Sequence, residues 1–264
     1  MRIGLLETLR HSNMVLVLFR DAVPCYYRIR AAAPYAGKHL DTGVEVAGLR
    51  LACMEPLRKA SLKFADGDFA MNLTSQGLCP MADSIAMTSG EAGSLAHEVA
   101  AAHLEGPGTV RGTLRLRDAE LEIDGTGFHE VSWGVRNWEA LSHYRLSWPV
   151  FDNGLAFAGI HATTRQGQDV YMRMLYHGKQ WRAVCELDDV VEFADDTMTV
   201  KSLAWRYRND LERNWHYTAR PLFRVFIPFD GFLLSESMME CRLADGTIGY
   251  GLCECGFRLP WQPG

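Results

Sequence analysis

The stretch from Asp124 to Trp138 carries the densest set of residues that could do chemistry, and it reads DGTGFHEVSWGVRNW. After Gly125 and Gly127 the stretch contains one histidine, one acid, one arginine and two tryptophans: His129, Glu130, Trp133, Arg136 and Trp138. Closely spaced glycines let a backbone bulge, or approach another segment, without a Cβ penalty. The stretch therefore either presents reactive groups to a cavity or forms a glycine-rich connector whose tryptophans fill a core.

Glu130 is the first candidate for a general acid. Burial disfavours the charged form of a carboxyl group, raises its pKa and so keeps it protonated near neutral pH. Hydration, isomerisation or cyclisation of an alkene requires such a proton donor in an apolar pocket. His129 is the second candidate, but neighbouring side chains on an extended segment point to opposite faces, so only one of the two enters a given pocket unless the glycines distort the chain.

Arg136 offers a different role for Glu130. A guanidinium beside the carboxylate would hold it ionised, and the pair would then stabilise the fold instead of transferring protons. The structural pair is the interpretation that we favour. Glu254 and Glu55 are further candidates for an acid, because each stands among apolar residues of a predicted strand, although single exposed glutamates are common.

Aromatic side chains could line a substrate pocket and stabilise a developing cation through their π faces. The candidates for substrate contact are Trp133, Arg136, Trp138, Trp205 and Tyr250, and Trp148, Trp181 and Trp215 are further aromatic residues of the same kind. Most aromatic residues in β proteins fill the core, so only a few should touch a ligand. Arg206, Arg208 and Arg213 form a charged stretch that we interpret as solvated surface, with a bound carboxylate or phosphate as the alternative.

The elements that must position these residues are β-strands. Short alternating runs separated by Gly, Asp or Pro recur at roughly 8–12 residue spacing, which is typical of a sandwich or barrel. About fourteen to sixteen strands can be counted, which suits two packed antiparallel units. Residues 80–103 interrupt the pattern and are interpreted as a long surface connection instead of a lid. We predict an all-β fold with little helix and a boundary after Trp138, dividing residues 1–138 from 139–264.

Composition excludes several classes of protein. The net charge is −5 and the pI about 6.0, without the basic face that nucleic-acid binding requires. The seven cysteines have irregular spacing without a CxxC pair, and the histidines form no HExxH or HxxxH motif. We therefore predict no metal site, no cofactor and reduced thiols in the cytoplasm. The charged N-terminus does not predict a signal peptide, no window is apolar enough to span a membrane, and no oligomeric state is predicted.

Three motifs together resemble one known family. They are His103-Leu-Glu-Gly-Pro-Gly108 followed by Val110-Arg-Gly112, then Gly125 to Trp138 with its Ser-Trp-Gly-x-Arg-x-Trp core, and Gly249-Tyr-Gly-Leu-Cys-Glu254. The pattern resembles the hydroxyneurosporene synthase and AttH-like superfamily, whose members include carotenoid hydratases, other lipocalin-like hydratases and cyclases, and Diels–Alderases. The resemblance spans roughly residues 44 to 257 and is more specific for fold than for reaction.

The resemblance implies two consecutive antiparallel lipocalin-like β-barrels or sandwiches, the first incomplete or compressed, and cofactor-free chemistry on apolar, alkene-rich molecules. Among the departures from the family pattern Arg-Asp-His-Ser-Trp-Gly, Glu130 stands in place of the aspartate and Val131 in place of the histidine. We therefore predict a cofactor-independent cyclase, isomerase or hydratase for a hydrophobic terpenoid or polyene-type substrate. A non-catalytic lipocalin-like carrier of a hydrophobic ligand or lipid is the alternative, and a structural interaction module is a weaker one.

Overall fold

A computed structural model describes residues 1–6, 10–36, 42–88, 96–135, 137–229 and 231–260. Antiparallel strands dominate these residues, which confirms the predicted all-β fold with little helix. The strands are β1 (Arg2–Leu6), β2 (His11–Arg20), β3 (Val23–Ala33), β4 (Tyr35–Ala36), β5 (Val44–Val46), β6 (Leu49–Glu55), β7 (Lys59–Asp66), β8 (Phe69–Gly77), β9 (Ala82–Asp83), β10 (Ala102–Leu116), β11 (Ala119–Trp133), β12 (Leu141–Phe151), β13 (Ala156–Thr164), β14 (Asp169–His177), β15 (Gln180–Phe193), β16 (Val200–Asn209), β17 (Asn214–Phe229), β18 (Phe232–Leu243) and β19 (Ile248–Arg258).

The chain divides into two compact units. The first comprises residues 1–80 and 108–127, and the second comprises residues 81–107 and 128–264. The strands β10 and β11 each pass from one unit into the other, and the closed part of the second unit begins at β12. The division of the chain into domains after Trp138 stays a prediction.

The first unit is built from two sheets. The strands β1, β2 and β3 form one sheet in that order, and the second sheet runs from β11 through β10, β8, β7, β6 and β5 to β4, with β9 paired to β10. Alternating residues of these strands point inward and form a shared apolar core. Its most buried members are Met14, Val44, Val46, Leu49, Phe64 and Phe69.

The second unit contains a closed barrel in which β12 to β19 pair in sequence order and β19 returns to β12. Aromatic rings fill much of its interior: Trp205, Tyr207, Tyr217, Phe151 and Phe157 are each at most 1% exposed. Cys253 and Cys255 are free thiols, and both lie in the core of this barrel.

Gly159 on β13 leaves room for two of these rings. A Cβ atom at this position would lie 2.4 Å from Cζ3 of Trp205 and 2.6 Å from the hydroxyl oxygen of Tyr207. Both distances are shorter than van der Waals contact allows. The glycine is therefore required by packing and not by an unusual backbone angle.

Residues 80–103, interpreted from sequence as a surface connection, contain more regular structure than expected. The strand β9 and a helical turn over residues 96–99 lie within them, and β10 begins at Ala102.

Arg206 and Arg208 lie in β16, where Arg206 pairs with Asp188 at 3.3 Å and Arg208 contacts Glu186. These arginines therefore form cross-strand ion pairs on the barrel surface.

We expect Gly159→Ala to destabilise the barrel by about 2 kcal/mol, because an added methyl group overpacks the site. Chemical denaturation monitored by circular dichroism measures the change. Gly125→Ala is the matched control, since no atom lies within 4 Å of a Cβ placed there. Equal stability of the two variants would contradict the role assigned to Gly159.

Candidate functional site

Asp83, at the end of β9, and the following Ser84 form hydrogen bonds with the backbone N–H and the carbonyl oxygen of His103. The carboxylate oxygen Oδ1 of Asp83 accepts a hydrogen bond from the backbone N–H of His103 at 3.2 Å. The carbonyl oxygen of His103 accepts from the backbone N–H of Ser84 at 2.9 Å and from its hydroxyl at 3.1 Å. This double anchor sets the position from which the imidazole ring extends.

Glu105 lies two residues further along β10 and is buried, with 1% of its surface exposed. The indole Nε1–H of Trp148, on β12, donates a hydrogen bond to its Oε1 at 2.8 Å. The other carboxyl oxygen, Oε2, is buried and has no hydrogen-bond partner among the described residues. An ionised, buried carboxylate needs more hydrogen-bond donors than the single indole N–H that Glu105 has.

Glu130 meets the same histidine from β11. Its Oε1 lies 3.2 Å from Nε2 of His103, and Oε1 of Glu105 lies 3.4 Å from that nitrogen. The side chain of Glu130 is 33% exposed, whereas that of Glu105 is 1% exposed. His103, Glu105, Glu130 and Trp148 are called the His103 cluster below, and its imidazole connects a buried carboxyl group to one that reaches solvent.

The electrostatics of the cluster favour a neutral Glu105. The pKa of Glu105 is raised to about 7, with burial as the largest cause. The carboxylates of Glu130 and Asp83 also raise this pKa, whereas His103 and the Trp148 hydrogen bond lower it. A carboxyl group with a pKa near neutrality can both give and take a proton at physiological pH. The cluster therefore places a carboxyl group that can exchange a proton near neutral pH beside an imidazole.

Aromatic rings border the cluster. The ring of Phe128 stacks on Trp148 with centroids 5.6 Å apart and planes 4° apart, and the imidazole of His103 meets the same indole edge-on at 6.3 Å. Phe128 and Glu130 lie on one face of β11, so strand alternation turns His129 to the other face. Burial lowers the pKa of His129, which favours its neutral form.

Gly134 shapes the end of β11. Its φ is +121°, and a Cβ atom there would lie 2.4 Å from the backbone nitrogen of Ala101. That nitrogen donates a hydrogen bond to the carbonyl oxygen of Trp133 at 2.8 Å. Of the three glycines in the stretch, Gly134 is therefore the one whose conformation and close approach both require glycine.

Glu254 belongs to a second group on the outer face of the barrel. The hydroxyl of Tyr144 donates to its Oε1 at 2.5 Å, and Glu254 is 5% exposed. The ring of Trp138 stacks on Tyr144 with centroids 6.2 Å apart and also contacts Phe232 at 5.6 Å. Glu254 pairs in register with Leu146, which lies between Tyr144 and Trp148 on β12, so this group adjoins the His103 cluster.

The remaining sequence-predicted site residues are not gathered at either place. Trp133 is 51% exposed and Tyr250 is 46% exposed, whereas Trp205 is fully buried inside the barrel. Arg136 lies outside the described residues, so the proposed pair of Glu130 with Arg136 stays a prediction.

Glu105 was not selected from the sequence, although it stands in the quoted His103-Leu-Glu segment. Its signal was the His-x-Glu spacing, which places both side chains on the same side of an extended strand. Trp148 was recognised only as one aromatic residue among several. No group of three or more potential metal ligands occurs in the part of the chain that the structure describes, and none of its helices is long and apolar enough to cross a membrane.

A model of a family described as a domain of unknown function, DUF7064, matches residues 1–258. The chain belongs to this family. A search of curated proteins found no significant match. Membership of this family therefore assigns no reaction to the chain.

Two solved structures resemble the family member described here. One is an AttH candidate from Nitrosomonas europaea, with 12% identity, a TM-score of 0.55 and coverage of 82% of this chain and 70% of that chain. The other is kievitone hydratase from Nectria haematococca, with 10% identity, a TM-score of 0.53 and coverage of 88% of this chain and 74% of that chain. At these identities the similarity shows a common fold.

The raised pKa of Glu105 predicts a specific dependence of stability on pH. The folded chain keeps this proton up to a pH of about 7, whereas the unfolded chain loses it near the ordinary glutamate pKa of 4.5. The stabilisation that protonated Glu105 contributes to folding is therefore fully present below a pH of 4.5. It is lost as the pH rises through about 7, and the total loss is about 3 kcal/mol.

Glu105→Gln removes this loss, so the variant should gain stability relative to the native protein between pH of about 5 and about 9. Denaturant unfolding at both pH values measures the gain. Glu212→Gln is the control, because the Glu212 side chain is 78% exposed. A pH-independent difference between Glu105→Gln and the native protein would contradict the buried, neutral state of Glu105.

Proposed function

We propose that this protein is a cofactor-independent, hydratase-type enzyme that adds water across a carbon–carbon double bond of a hydrophobic small molecule, or forms such a bond by removing water from an alcohol. The observation that carries the proposal is the buried carboxyl group of Glu105, whose pKa is raised to about 7 beside His103 and Trp148. A terpenoid or polyene-type substrate is the class that we propose. The similarity to a protein named as a hydratase supports a reaction of this type.

In the proposed reaction the protonated Glu105 donates its proton to one alkene carbon. The oxygen of a water molecule forms a bond to the neighbouring, electron-deficient carbon, and the added water then loses a proton. That proton returns to the carboxylate of Glu105, so one water molecule is consumed and the enzyme is restored. The π face of Trp148 beside Glu105 would stabilise the positive charge that develops on carbon.

In this scheme His103 and Glu130 transfer the proton between Glu105 and solvent. The imidazole Nε2 lies within 3.4 Å of Glu105 and within 3.2 Å of Glu130, so a proton can pass between the two carboxyl groups through one ring. Because a third of the Glu130 side chain is exposed, it can exchange the proton with solvent. Glu105 is thus the acid, His103 the relay and Glu130 the outer end of the path.

The same acid would serve a cyclase or isomerase, in which a carbon–carbon bond forms or a different proton is lost in place of water addition. Water incorporation distinguishes these outcomes from hydration. A lipocalin-like carrier is the alternative from another class, and it would bind such molecules without exchanging any proton.

The test uses purified protein with a panel of terpenoid, polyene and prenylated phenolic alkenes in H₂¹⁸O and, separately, in D₂O. Mass spectrometry should show one ¹⁸O or one deuterium incorporated into a turned-over substrate. Glu105→Gln should lower turnover roughly a hundredfold or more, because it removes the general acid. Glu212→Gln, on the exposed surface, should leave turnover unchanged.

Binding of panel members without isotope incorporation would support the carrier and exclude the hydratase. Incorporation that persists in Glu105→Gln would exclude Glu105 as the acid. Deuterium incorporation without ¹⁸O would indicate an isomerase or cyclase.

The variant Glu130→Gln distinguishes two possible roles of Glu130: the outer end of a proton-transfer path, or one member of a structural ion pair. As the outer end of the path, Glu130 should affect turnover and its pH profile while the melting temperature stays unchanged. As an ion-pair partner of Arg136 it should instead lower the unfolding free energy, and Arg136→Gln should lower it by a similar amount. Turnover and thermal unfolding, measured on the two single variants and the double variant, distinguish the roles.

A further inference from the structure

The indole of Trp148 supplies the one hydrogen bond that the carboxyl group of Glu105 accepts from the described residues, with Nε1–H donating to Oε1 at 2.8 Å. A hydrogen bond weakens steeply when the donor hydrogen turns away from the acceptor. The bond to Glu105 therefore depends on the orientation of the indole plane. Rotation about the side-chain torsion χ2 changes that orientation, and this torsion has broad preferences in aromatic residues, so neighbouring groups must hold the ring.

Two rings of the second unit meet this indole. The ring of Phe128 lies parallel to it, with planes 4° apart and centroids 5.6 Å apart, and the imidazole of His103 meets it edge-on at 6.3 Å. These are the offset-stacked and T-shaped arrangements that aromatic pairs prefer. Because the Phe128 plane is parallel to the indole plane, rotation of the indole about χ2 would break the stack. The stack therefore opposes the motion that would turn Nε1–H away from Glu105.

Phe128 is the outer member of this group. It is half-buried, whereas Trp148 is 8% exposed and Glu105 is 1% exposed. It stands two residues before Glu130 on β11, so both side chains lie on the face of that strand that meets the cluster. A phenylalanine ring offers no hydrogen-bonding or titratable group. Phe128 can therefore act on Glu105 in two ways, by holding Trp148 in place or by excluding water.

These two actions have opposite effects on the pKa of Glu105. That pKa is raised to about 7, chiefly by burial, and the hydrogen bond from Trp148 opposes the rise. Loss of the bond would raise the pKa, because the carboxylate would lose its donor. Entry of water would lower the pKa, because solvation favours the charged form. The direction of the change therefore distinguishes a ring that positions Trp148 from one that only shields Glu105.

We propose that Phe128 is a positioning residue of the His103 cluster, whose ring holds the Trp148 indole in the plane from which Nε1–H reaches Oε1 of Glu105. Its effect on turnover rests on the proposed function, in which Glu105 is the general acid. A carboxyl group that has lost its donor is a weaker acid and keeps its proton to a higher pH. Without the ring, turnover is therefore slower and its decline with rising pH moves to higher pH.

The test compares variants of the full chain by NMR, with ¹³C at the glutamate carboxyl carbons and ¹⁵N at the tryptophan indoles. Glu105→Gln and Trp148→Phe identify the two resonances concerned. In Phe128→Leu, which keeps apolar bulk without the ring, we expect the titration midpoint of Glu105 to rise by about 0.5 pH or more. The Nε1–H of Trp148 should exchange with solvent severalfold faster in the same variant. Phe128→Tyr keeps the ring, so both quantities should match those of the native protein.

Phe193→Leu is the matched control. Phe193 is also half-buried and contacts another ring, that of Phe257, at 5.8 Å, but this pair belongs to the core of the barrel. The substitution should lower stability and leave the Glu105 midpoint and the indole exchange unchanged. Circular dichroism confirms that each variant is folded, and Phe128→Met takes the place of Phe128→Leu where the latter fails to fold.

An unchanged midpoint in Phe128→Leu would overturn the proposal, and a lowered one would show instead that Phe128 excludes water. An equal rise in Phe193→Leu would also count against it, because the effect would then reflect general loosening of the fold. The NMR measurements need no substrate, so they test the positioning role whether or not an alkene is turned over. Turnover that depends on Glu105 but keeps its pH profile in Phe128→Leu would exclude the positioning role and leave the hydratase proposal standing.

Discussion

Pairing of β12 with β19 closes the barrel, and both the His103 cluster and the ion pair of Arg145 with Asp189 depend on the register of this pairing. The register runs from His143 opposite Phe257 to Phe151 opposite Gly249. Because side chains alternate along a strand, β12 presents Trp148 outward to Glu105 and Arg145 inward to Asp189. A slip of one residue would exchange the two faces and place charged groups against apolar surfaces.

Glycines on β19 hold that register in place. A Cβ atom at Gly251 would lie 2.3 Å from the carbonyl oxygen of Trp148, and one at Gly256 would lie 2.2 Å from Cε1 of Tyr144. Close strand contact at the first position and room for a ring at the second both require the absence of a side chain. The closing strand therefore positions Trp148 and Tyr144, and through them the carboxyl groups of Glu105 and Glu254.

Among the buried carboxyl groups of the second unit, Glu105 and Asp189 have pKa values shifted in opposite directions. Glu105 has one hydrogen-bond donor from Trp148, and burial raises its pKa to about 7. Burial would also raise the pKa of Asp189, but hydrogen bonds from His161 and Arg145 lower it below its ordinary value. The number of donors and cations around each group decides the outcome. One carboxyl group is suited to proton transfer, whereas the other is a fixed charge.

Alternation and turn residues in the sequence were sufficient to predict the fold class, because period-two patterns depend only on local geometry. They also indicated that His129 and Glu130 face opposite ways. The partners of Glu130 could not be predicted in this way, since His103 stands 27 positions earlier in the chain and meets it across the paired strands β10 and β11. That contact depends on the register of strand pairing, which alternation alone does not fix. The contacts of Asp189 inside the barrel were missed for the same reason: Arg145, His161 and Asp189 lie on three separate strands, and nothing local relates them.

The same alternation explains why the departure at Val131 need not remove the chemistry. Glu130 faces His103, so the side chain of its neighbour Val131 points to the other face of β11. A histidine at position 131, as in the family that the motif resembles, would therefore project away from Glu105. The histidine that contacts both carboxyl groups is His103, which belongs to a different motif and is retained here. Val131 is thus not part of the His103 cluster, and Glu130 contacts His103 independently of the side chain at position 131.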